Sequence, residues 1–291
     1  MLDCRAAIGE SPTWFAGGGA LFWIDIKEPA LHCLNADGGN RRWSLPSDIG
    51  AFALLEGAGG ALVALRDGIF SLDFTSGATS LLAAAPHDPQ LFRFNEGICD
   101  AQGRFWVGMM FDPLLRRTKG EIEKKRVLHQ FTFAHGLVAA ADESDLHNGF
   151  AWNDQSDEFF WSHSRERRVY RASYELATGA IGRPSGFVEI RDGNGVPDGA
   201  AMDEEGCYWC AIHGASALHR YDAGGNLVLR IALPVSRPTM CAFIGPNLDE
   251  MVVTSAREHL TSEQLAREPC AGSLFRLRPG VRGLARPCVV Q

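Results

Sequence analysis

The fold is decided by the stretch Asp198-Gly-Ala-Ala-Met-Asp203-Glu-Glu-Gly206-Cys-Tyr-Trp209. Counted from its first residue, this stretch has a turn acid at +5, a glycine at +8 and an apolar strand residue at +11. The pattern recurs along the chain, strictly in some copies and loosely in others. It begins at six positions, which are Glu10, Ala51, Asn95, Asn148, Asp198 and Cys241.

The six starting positions lie 41 to 53 residues apart. Repeats of about 40–50 residues made of short strands are typical of β-propellers, whose blades are four-stranded sheets arranged around a channel. Short apolar runs follow polar or glycine-containing turns, for example at residues 20–25, 61–65 and 251–254. Helical periodicity is almost absent, and only residues 262–268 are predicted to form a short helix. We therefore predict an all-β fold, a six-bladed β-propeller forming a single domain over residues 1–291.

The composition excludes several classes of protein. Hydrophobic residues make up 46% of the chain and charged residues 22%, which is enough to form a packed core. The net charge of −7 argues against a nucleic-acid-binding surface, which would need a basic stripe. Basic residues do cluster at two places, and we interpret both clusters as solvated turns or exposed strands: Arg116, Arg117 and Lys119, and Arg165, Arg167 and Arg168.

The sequence also bears on the location of the protein. The sequence contains no run of about 18 apolar residues, so no membrane span is predicted. Its first residues lack the apolar segment of a secretion signal. The eight cysteines are scattered and mostly lie in apolar segments, so we expect reduced, buried thiols. Cys207 and Cys210 form a C-x-x-C pattern within a strand-like segment, and we interpret them as structural. We therefore expect a cytoplasmic protein with no membrane partner.

The repeat itself predicts a site. Equivalent positions of successive blades lie at similar distances from the propeller axis, so the six starting residues should converge at the channel. Ala51 and Cys241 suit a packed channel, whereas the other four are oxygen donors: Glu10, Asn95, Asn148 and Asp198. Two neighbouring carboxylates repel each other, and a divalent cation removes that conflict. The donors suit Ca²⁺, Mg²⁺ or Mn²⁺, with Zn²⁺ also acceptable, and the alternative is a hydrogen-bonded polar plug.

Motifs for other chemistry are missing from the sequence. We find no G-x-S-x-G nucleophile elbow, no H-E-x-x-H motif, no Walker loop and no G-x-G-x-x-G fingerprint. The nine histidines show no metal-ligand spacing. His163 and His213 follow strand-like segments, and we interpret both as structural.

Several short motifs span most of the chain: Gly9-Glu-Ser-Pro-Thr-Trp14, Arg93-Phe-Asn-Glu-Gly97, Asp100-Ala-Gln-Gly-Arg-Phe-Trp-Val-Gly108, Asn148-Gly-Phe-Ala-Trp152, Pro197-Asp-Gly199, Thr254-Ser-Ala-Arg257, Leu265, and Ala271-Gly-Ser-Leu-Phe275. In sequence and in order, these motifs resemble those of the senescence-marker protein/gluconolactonase/luciferin-regenerating-enzyme family.

This resemblance implies a metal-dependent hydrolase of sugar-derived lactones, such as a glucono- or pentonolactone. One divalent ion (Ca, Zn, Mg or Mn) would be bound by Glu10, Asn148 and Asp198, and Asp198 would also act as the general base. The substrate would be bound by Arg93, Asn95 and Asp112. The expected partner is the small lactone alone, and the expected assembly is a monomer or a weak homodimer.

The chain departs from the family pattern at three places. Gly108-Met109-Met110 replaces G-T-M, so a threonine is lost. Pro113 lies where a substrate-binding glutamate is expected, with Asp112 beside it, and Trp161-Ser-His-Ser164 replaces Y-x-D-S. These changes leave the metal ligands intact and predict an altered substrate preference.

Three alternative functions fit the same sequence. The first is another ester or phosphoester hydrolase on the same metal site, similar to the organophosphatases. The second is a non-enzymatic, calcium-binding regulatory propeller. The third is a scaffold for protein partners with a plugged channel.

Overall fold

The computed structural model describes residues 1–115, 125–191, 193 and 195–290. The basic cluster of Arg116, Arg117 and Lys119 lies outside the described residues. The strands form six antiparallel sheets, which succeed one another along the chain as the blades of a β-propeller. The prediction of an all-β, six-bladed propeller is therefore confirmed.

The first three blades are four-stranded meanders. Their strands are β1 (Gly9–Phe15), β2 (Ala20–Asp25), β3 (Ala30–Leu34) and β4 (Asn40–Ser44); β5 (Ile49–Leu54), β6 (Gly60–Leu65), β7 (Gly68–Asp73) and β8 (Thr79–Ala84); and β9 (Phe92–Cys99), β10 (Phe105–Phe111), β11 (Arg126–Thr132) and β12 (Gly136–Ser144). The inner strand of each of these blades is the first in sequence.

In the last three blades the outer edge varies. Blade 4 contains β13 (His147–Trp152), β14 (Glu158–His163) and β15 (Arg168–Glu175), and β15 pairs with both β16 (Ala180–Ile181) and β17 (Ser185–Glu189). Blade 5 contains β18 (Val196–Met202), β19 (Tyr208–His213), β20 (Ala217–Tyr221) and β21 (Leu227–Ala232). Blade 6 contains β22 (Pro238–Ile244), β23 (Glu250–Ser255) and β24 (Phe275–Leu277).

The hydrophobic core consists of six clusters, each between two neighbouring blades. Blades 1 and 2, for example, are joined around Phe22 and Val63, and blades 6 and 1 around Trp23 and Val252. Because the second strand of a blade has a neighbour on each face, all residues of β2, β6 and β23 are buried. Burial on both faces explains why β2 and β6 are near-continuous apolar runs in the sequence.

The repeated turn joins the first two strands of a blade. In blade 5 the Asp203 carboxylate accepts hydrogen bonds from the backbone N–H of Cys207 at 2.9 Å and from Nε1 of Trp209 at 2.8 Å. The acid at +5 therefore binds the residue at +11 directly. Gly206 at +8 has φ of +75°, a conformation that side chains disfavour, which explains the glycine of the repeat.

The two ends of the chain tie distant blades together. Leu2 pairs with Leu274 beside β24, so the N-terminal segment extends blade 6 and helps to close the ring. The C-terminal tail crosses one end of the channel, the end at which the inner strands of the blades finish. In this tail, the Leu284 N–H donates to the Met202 carbonyl at 3.1 Å, and the Val289 N–H donates to the Leu54 carbonyl at 2.8 Å. The tail therefore links blade 5 to blade 2.

The helix content is small. The described residues contain one helix, α1 (Ser262–Arg267), and its bounds confirm the predicted position within a residue. Thr261 caps it, because its side chain accepts from Gln264 N while the Gln264 side chain accepts from Thr261 N. The described part of the chain has no helix with the length and apolar character of a membrane span.

Candidate metal site at the channel mouth

Four of the six repeat positions meet in one cavity at the opening of the channel. Glu10 on β1, Asn95 on β9, Asn148 on β13 and Asp198 on β18 line a cavity of about 320 Å³ together with Arg93. In each of these blades the pairing of the inner strand is irregular at or next to the lining residue. Such bulges redirect side chains and are frequent beside functional sites, so the backbone aims these polar groups at the cavity.

The sixth position differs from the prediction. Cys241 is fully buried in the hydrophobic cluster between blades 5 and 6, and Thr239 lines the cavity instead. The irregular pairing of β22 lies between Pro238 and Cys241, so the residue that turns into the channel comes two positions earlier. Ala51 is buried between blades 2 and 3 and, as expected of an apolar residue there, contributes no donor.

Buried carboxylates dominate the electrostatics of the cavity. Burial, followed by the charge of Glu96, raises the pKa of Glu10 to about 8. Burial also raises the pKa of Asp198 well above its usual range, and the charges of Glu10 and Glu96 add to that rise. Glu96 accepts from the backbone N–H groups of Gly149 and Phe150, both at 2.7 Å, yet burial still raises its pKa to about 7. The three acids therefore resist carrying their charges together.

Two guanidinium groups balance part of this charge. Arg286 enters from the C-terminal tail and donates to the carbonyl oxygens of Ala200 at 3.1 Å and Cys241 at 3.2 Å. Arg93 opposes the charge of Asp198 but also pairs with Asp112 outside the cavity. Arg93 and Arg286 are the cations whose charges oppose the raised pKa values of these three buried carboxylates, and Arg93 is shared with Asp112. A divalent ion at Glu10, Asn148 and Asp198 would supply the missing positive charge, so the residues fit such an ion.

A chain of hydrogen bonds orients the two amides. Arg93 Nη1 donates to Asn95 Oδ1 at 2.9 Å, and Asn95 Nδ2 donates to Asn148 Oδ1 at 2.5 Å. Asn148 Nδ2 in turn donates to Ser164 Oγ at 2.9 Å, and Ser164 Oγ donates to the Pro197 carbonyl at 2.7 Å. This direction of donation keeps Asn148 Oδ1 an acceptor, and an oxygen with two lone pairs can still bind a cation.

Asp112 lies apart from this cavity. It is not among the described residues that line it, and its carboxylate accepts from Arg93 Nε at 2.9 Å and Lys27 Nζ at 2.6 Å. The guanidinium of Arg93 and the ammonium of Lys27 hold the pKa of Asp112 below its usual range, at about 2. Asp112 thus contacts Arg93 instead of lining the cavity, and we expect it to position Arg93 and not to contact substrate as predicted.

Several cavity residues were not singled out by the sequence as site residues. Thr239 donates to the Gly9 carbonyl at 2.5 Å, and His213, interpreted from the sequence as structural, also lines the cavity. Burial and the charge of Arg237 lower the pKa of His213 to about 4. Arg165 and Arg237 add positive charge to the lining, and no repeat or motif marks their position.

Replacing Ser164 tests the orientation of Asn148. Ser164→Ala removes the acceptor for Asn148 Nδ2, so the amide is free to turn its oxygen away. We expect the Ca²⁺ affinity, measured by calorimetric titration, to fall about tenfold, as when other groups that orient a ligand are removed. Ser162→Ala is the matched control, because the Ser162 hydroxyl is buried without a hydrogen bond. Equal Ca²⁺ affinity in the two variants would contradict the role of Asn148.

These features define a class, six-bladed β-propellers with a channel mouth lined by carboxylate and amide oxygens. Residues 8–257 match the family model described as the SMP-30/Gluconolactonase/LRE-like region, and the chain belongs to this family. The resemblance inferred from the motifs is therefore confirmed.

Individual relatives cover nearly the whole chain. A 6-deoxy-6-sulfogluconolactonase of Pseudomonas putida is 34% identical over 284 residues, which are 97% of this chain and 94% of the relative. Human regucalcin is 29% identical over 292 residues, covering 97% and 94% of the two chains. The crystal structure of a calcium-binding regucalcin from Agrobacterium tumefaciens has 27% identity and a TM-score of 0.87, covering 99% of this chain and 95% of that one.

Proposed function

We propose that the protein hydrolyses a sugar-derived lactone to its aldonic acid, with a divalent ion bound by Glu10, Asn148 and Asp198. The observation that carries this proposal is the convergence of two buried carboxylates and an oriented amide oxygen beside Arg93 and Asn95 in one cavity. The names of the relatives agree with an enzyme that hydrolyses a cyclic ester. The chain is accordingly a lactonase-type hydrolase, and the substrate and the metal are the proposed details.

The side chains of the cavity have separate tasks. A divalent ion supplies Lewis acidity for the lactone carbonyl and lowers the pKa of water. Asp198 accepts the proton of the attacking water, because it is a carboxylate lining the same cavity and the charge of Arg93 favours its ionised form. Arg93 uses Nε and Nη1 for Asp112 and Asn95, which fixes its plane and leaves Nη2 for a substrate oxygen.

The chelator experiment tests the proposed function most directly. We expect turnover of gluconolactone to stop when a chelator removes divalent ions and to return when Ca²⁺, Mn²⁺, Mg²⁺ or Zn²⁺ is added back. Turnover that survives complete metal removal would contradict the proposal. Ca²⁺ binding with no turnover of any ester would favour the regulatory propeller, and phosphoester turnover alone would favour the organophosphatase-like alternative.

The substrate preference is proposed from the polar lining. Arg93 and Asn95 provide donors for hydroxyl groups, and a site built for hydroxyls rejects analogues that lack them because its buried polar groups stay unpaired. We expect gluconolactone or a pentonolactone to be hydrolysed at least about 10²-fold faster, in kcat/KM, than unsubstituted valerolactone. Equal rates on both substrates would contradict the sugar-lactone proposal.

A lactone with an anionic substituent is a second candidate substrate. Arg165 and Arg237 line the same cavity as Arg93, and guanidinium groups bind oxyanions such as sulfonate with fixed geometry. The 6-deoxy-6-sulfogluconolactonase relative is named for such a compound. Measuring kcat/KM for 6-deoxy-6-sulfogluconolactone and for gluconolactone in the parent chain and in Arg165→Gln decides between the two. Only the anionic substrate should lose kcat/KM in the variant.

Location and assembly are also proposals. The structure has eight cysteines without disulfide partners, which agrees with a reducing compartment and supports the cytoplasmic prediction. We also propose that the protein works as a monomer or weak homodimer on a small substrate, without nucleic acid or membrane.

A further inference from the structure

A second group of potential metal ligands lies between blades 3 and 4, away from the channel. Asp142 on β12 directs Oδ2 at two histidines of blade 4. The oxygen is 3.0 Å from His147 Nε2 on β13 and 2.8 Å from His163 Nε2 at the end of β14. All three atoms lie within 4.8 Å of one another. The His147 side chain is fully buried, and those of Asp142 and His163 are about one-tenth exposed.

Two contacts of His163 favour one position for its ring proton. The indole N–H of Trp161 points at His163 Nε2 from 3.3 Å, which favours a lone pair on that nitrogen. His163 Nδ1 faces Glu166 Oε2 at 3.4 Å, so the ring proton belongs on Nδ1. The lone pair of Nε2 then faces the anionic Asp142 Oδ2 at 2.8 Å. That contact is favourable only if Nε2 instead carries a proton, which the Trp161 N–H opposes, or if a cation lies between the two atoms.

We propose that Asp142, His147 and His163 form a second metal site, specific for Zn²⁺ or a similar transition-metal ion. Two imidazole nitrogens and one carboxylate oxygen are a donor set that Zn²⁺ prefers, at distances of about 2.0–2.2 Å. Ligand atoms around a tetrahedral ion of that size are about 3.3 Å apart, so the contacts of 3.0 and 2.8 Å to Asp142 Oδ2 open by a few tenths of an ångström to admit it. Water occupies the fourth position, which the partly exposed Asp142 leaves accessible.

The surroundings of His163 match those of known metal-binding histidines. A histidine ligand usually donates its second ring N–H to a carboxylate, which fixes the tautomer and increases its basicity. Glu166 plays this part here, and its own carboxylate is fixed by Tyr170 Oη at 2.8 Å and Lys125 Nζ at 3.1 Å. The three proposed ligands at the channel mouth, Glu10, Asn148 and Asp198, are oxygen donors, so the two sites differ in the metal that they prefer.

The site would act as a clamp between two blades. Its ligands come from β12 in blade 3 and from β13 and β14 in blade 4. An ion that binds the folded chain and not the unfolded chain stabilises the fold. His147 precedes Asn148, and His163 precedes Ser164, which binds Asn148. The clamp therefore also supports the backbone that positions the Asn148 amide at the channel mouth.

The experiment is a Zn²⁺ titration of the full, metal-stripped chain in excess Ca²⁺, which blocks the channel mouth. We expect one Zn²⁺ per chain and a rise in Tm. Co²⁺ in place of Zn²⁺ should give the strong visible absorption of a four-coordinate site, a signal that requires no variant.

Variants then assign the ligands. We expect Asp142→Asn and His163→Gln each to weaken Zn²⁺ binding at least about 100-fold, and Glu166→Gln about tenfold. His135→Gln, an exposed histidine in the turn before β12, is the matched control and should bind Zn²⁺ like the parent chain. Circular dichroism confirms that each variant is folded.

Two results would overturn the proposal. One is the absence of Zn²⁺ binding and of four-coordinate Co²⁺ absorption in the parent chain when Ca²⁺ is in excess. The other is unchanged Zn²⁺ affinity in folded Asp142→Asn and His163→Gln. Either result would mean that Asp142, His147 and His163 are joined by hydrogen bonds alone, with no ion between them.

Discussion

Asp198→Asn is expected to lower kcat/KM for a sugar lactone by about 10³-fold or more and to abolish tight Ca²⁺ binding. Asparagine keeps the size of the side chain but loses the charge that binds the ion and the basicity that accepts a proton. Loss of a general base alone is typically worth about 10²–10⁴-fold in rate. Lactone turnover and calorimetric Ca²⁺ titration measure the two effects separately.

The fold should survive this substitution. Asp198 lies at the channel mouth, and its burial raises the free energy of its charged form, so a neutral isostere costs the propeller little. Asp154→Asn is the matched control, an exposed acid lining the cavity at the opposite end of the channel. Full activity in Asp198→Asn would show that Asp198 is neither ligand nor base, and equal loss in Asp154→Asn would indicate a general effect of charge.

Glu10→Gln is expected to abolish activity while stabilising the metal-free protein at pH 8. The pKa of Glu10 is about 8 in the folded chain and about 4.5 when the chain is unfolded, because burial and the charge of Glu96 disfavour the carboxylate. The unfolded chain therefore loses this proton at lower pH than the folded chain. The contribution of Glu10 to the free energy of unfolding is most favourable below about pH 4.5 and is lost as the pH rises through about 8. Glutamine has no such proton to lose.

The measurement is a series of Tm values between pH 5 and pH 8, with and without Ca²⁺. Without Ca²⁺, the parent Tm should fall relative to that of Glu10→Gln as the pH rises. With Ca²⁺, the parent should recover at pH 8 and the variant should not. Glu28→Gln, an exposed acid in the turn after β2, serves as the control for charge. If Glu10→Gln were no more stable than the metal-free parent at pH 8, the claim that burial disfavours the Glu10 carboxylate would be wrong.

Much of the fold could be predicted from the sequence because propeller blades repeat their local chemistry. The acid at +5 binds the backbone and indole of its own turn, as Asp203 binds Trp209, so the residues needed recur at constant spacing. The second strands are buried on both faces and therefore appear as uninterrupted apolar runs such as β2. Both signals are local, so they survive in one sequence without any knowledge of packing.

The sequence by itself determined the propeller, the family and the polar positions Glu10, Asn95, Asn148 and Asp198, because each follows from a repeat or a motif. Only the tertiary structure decided that Thr239 replaces Cys241 at the cavity, since a bulge shifts which residue turns inward without changing the spacing of the repeat. It alone placed Arg286 of the C-terminal tail among the buried acids and brought Asp142 to His147 and His163. These groups come from different blades or from the tail, and contacts between such elements depend on packing that no local pattern records.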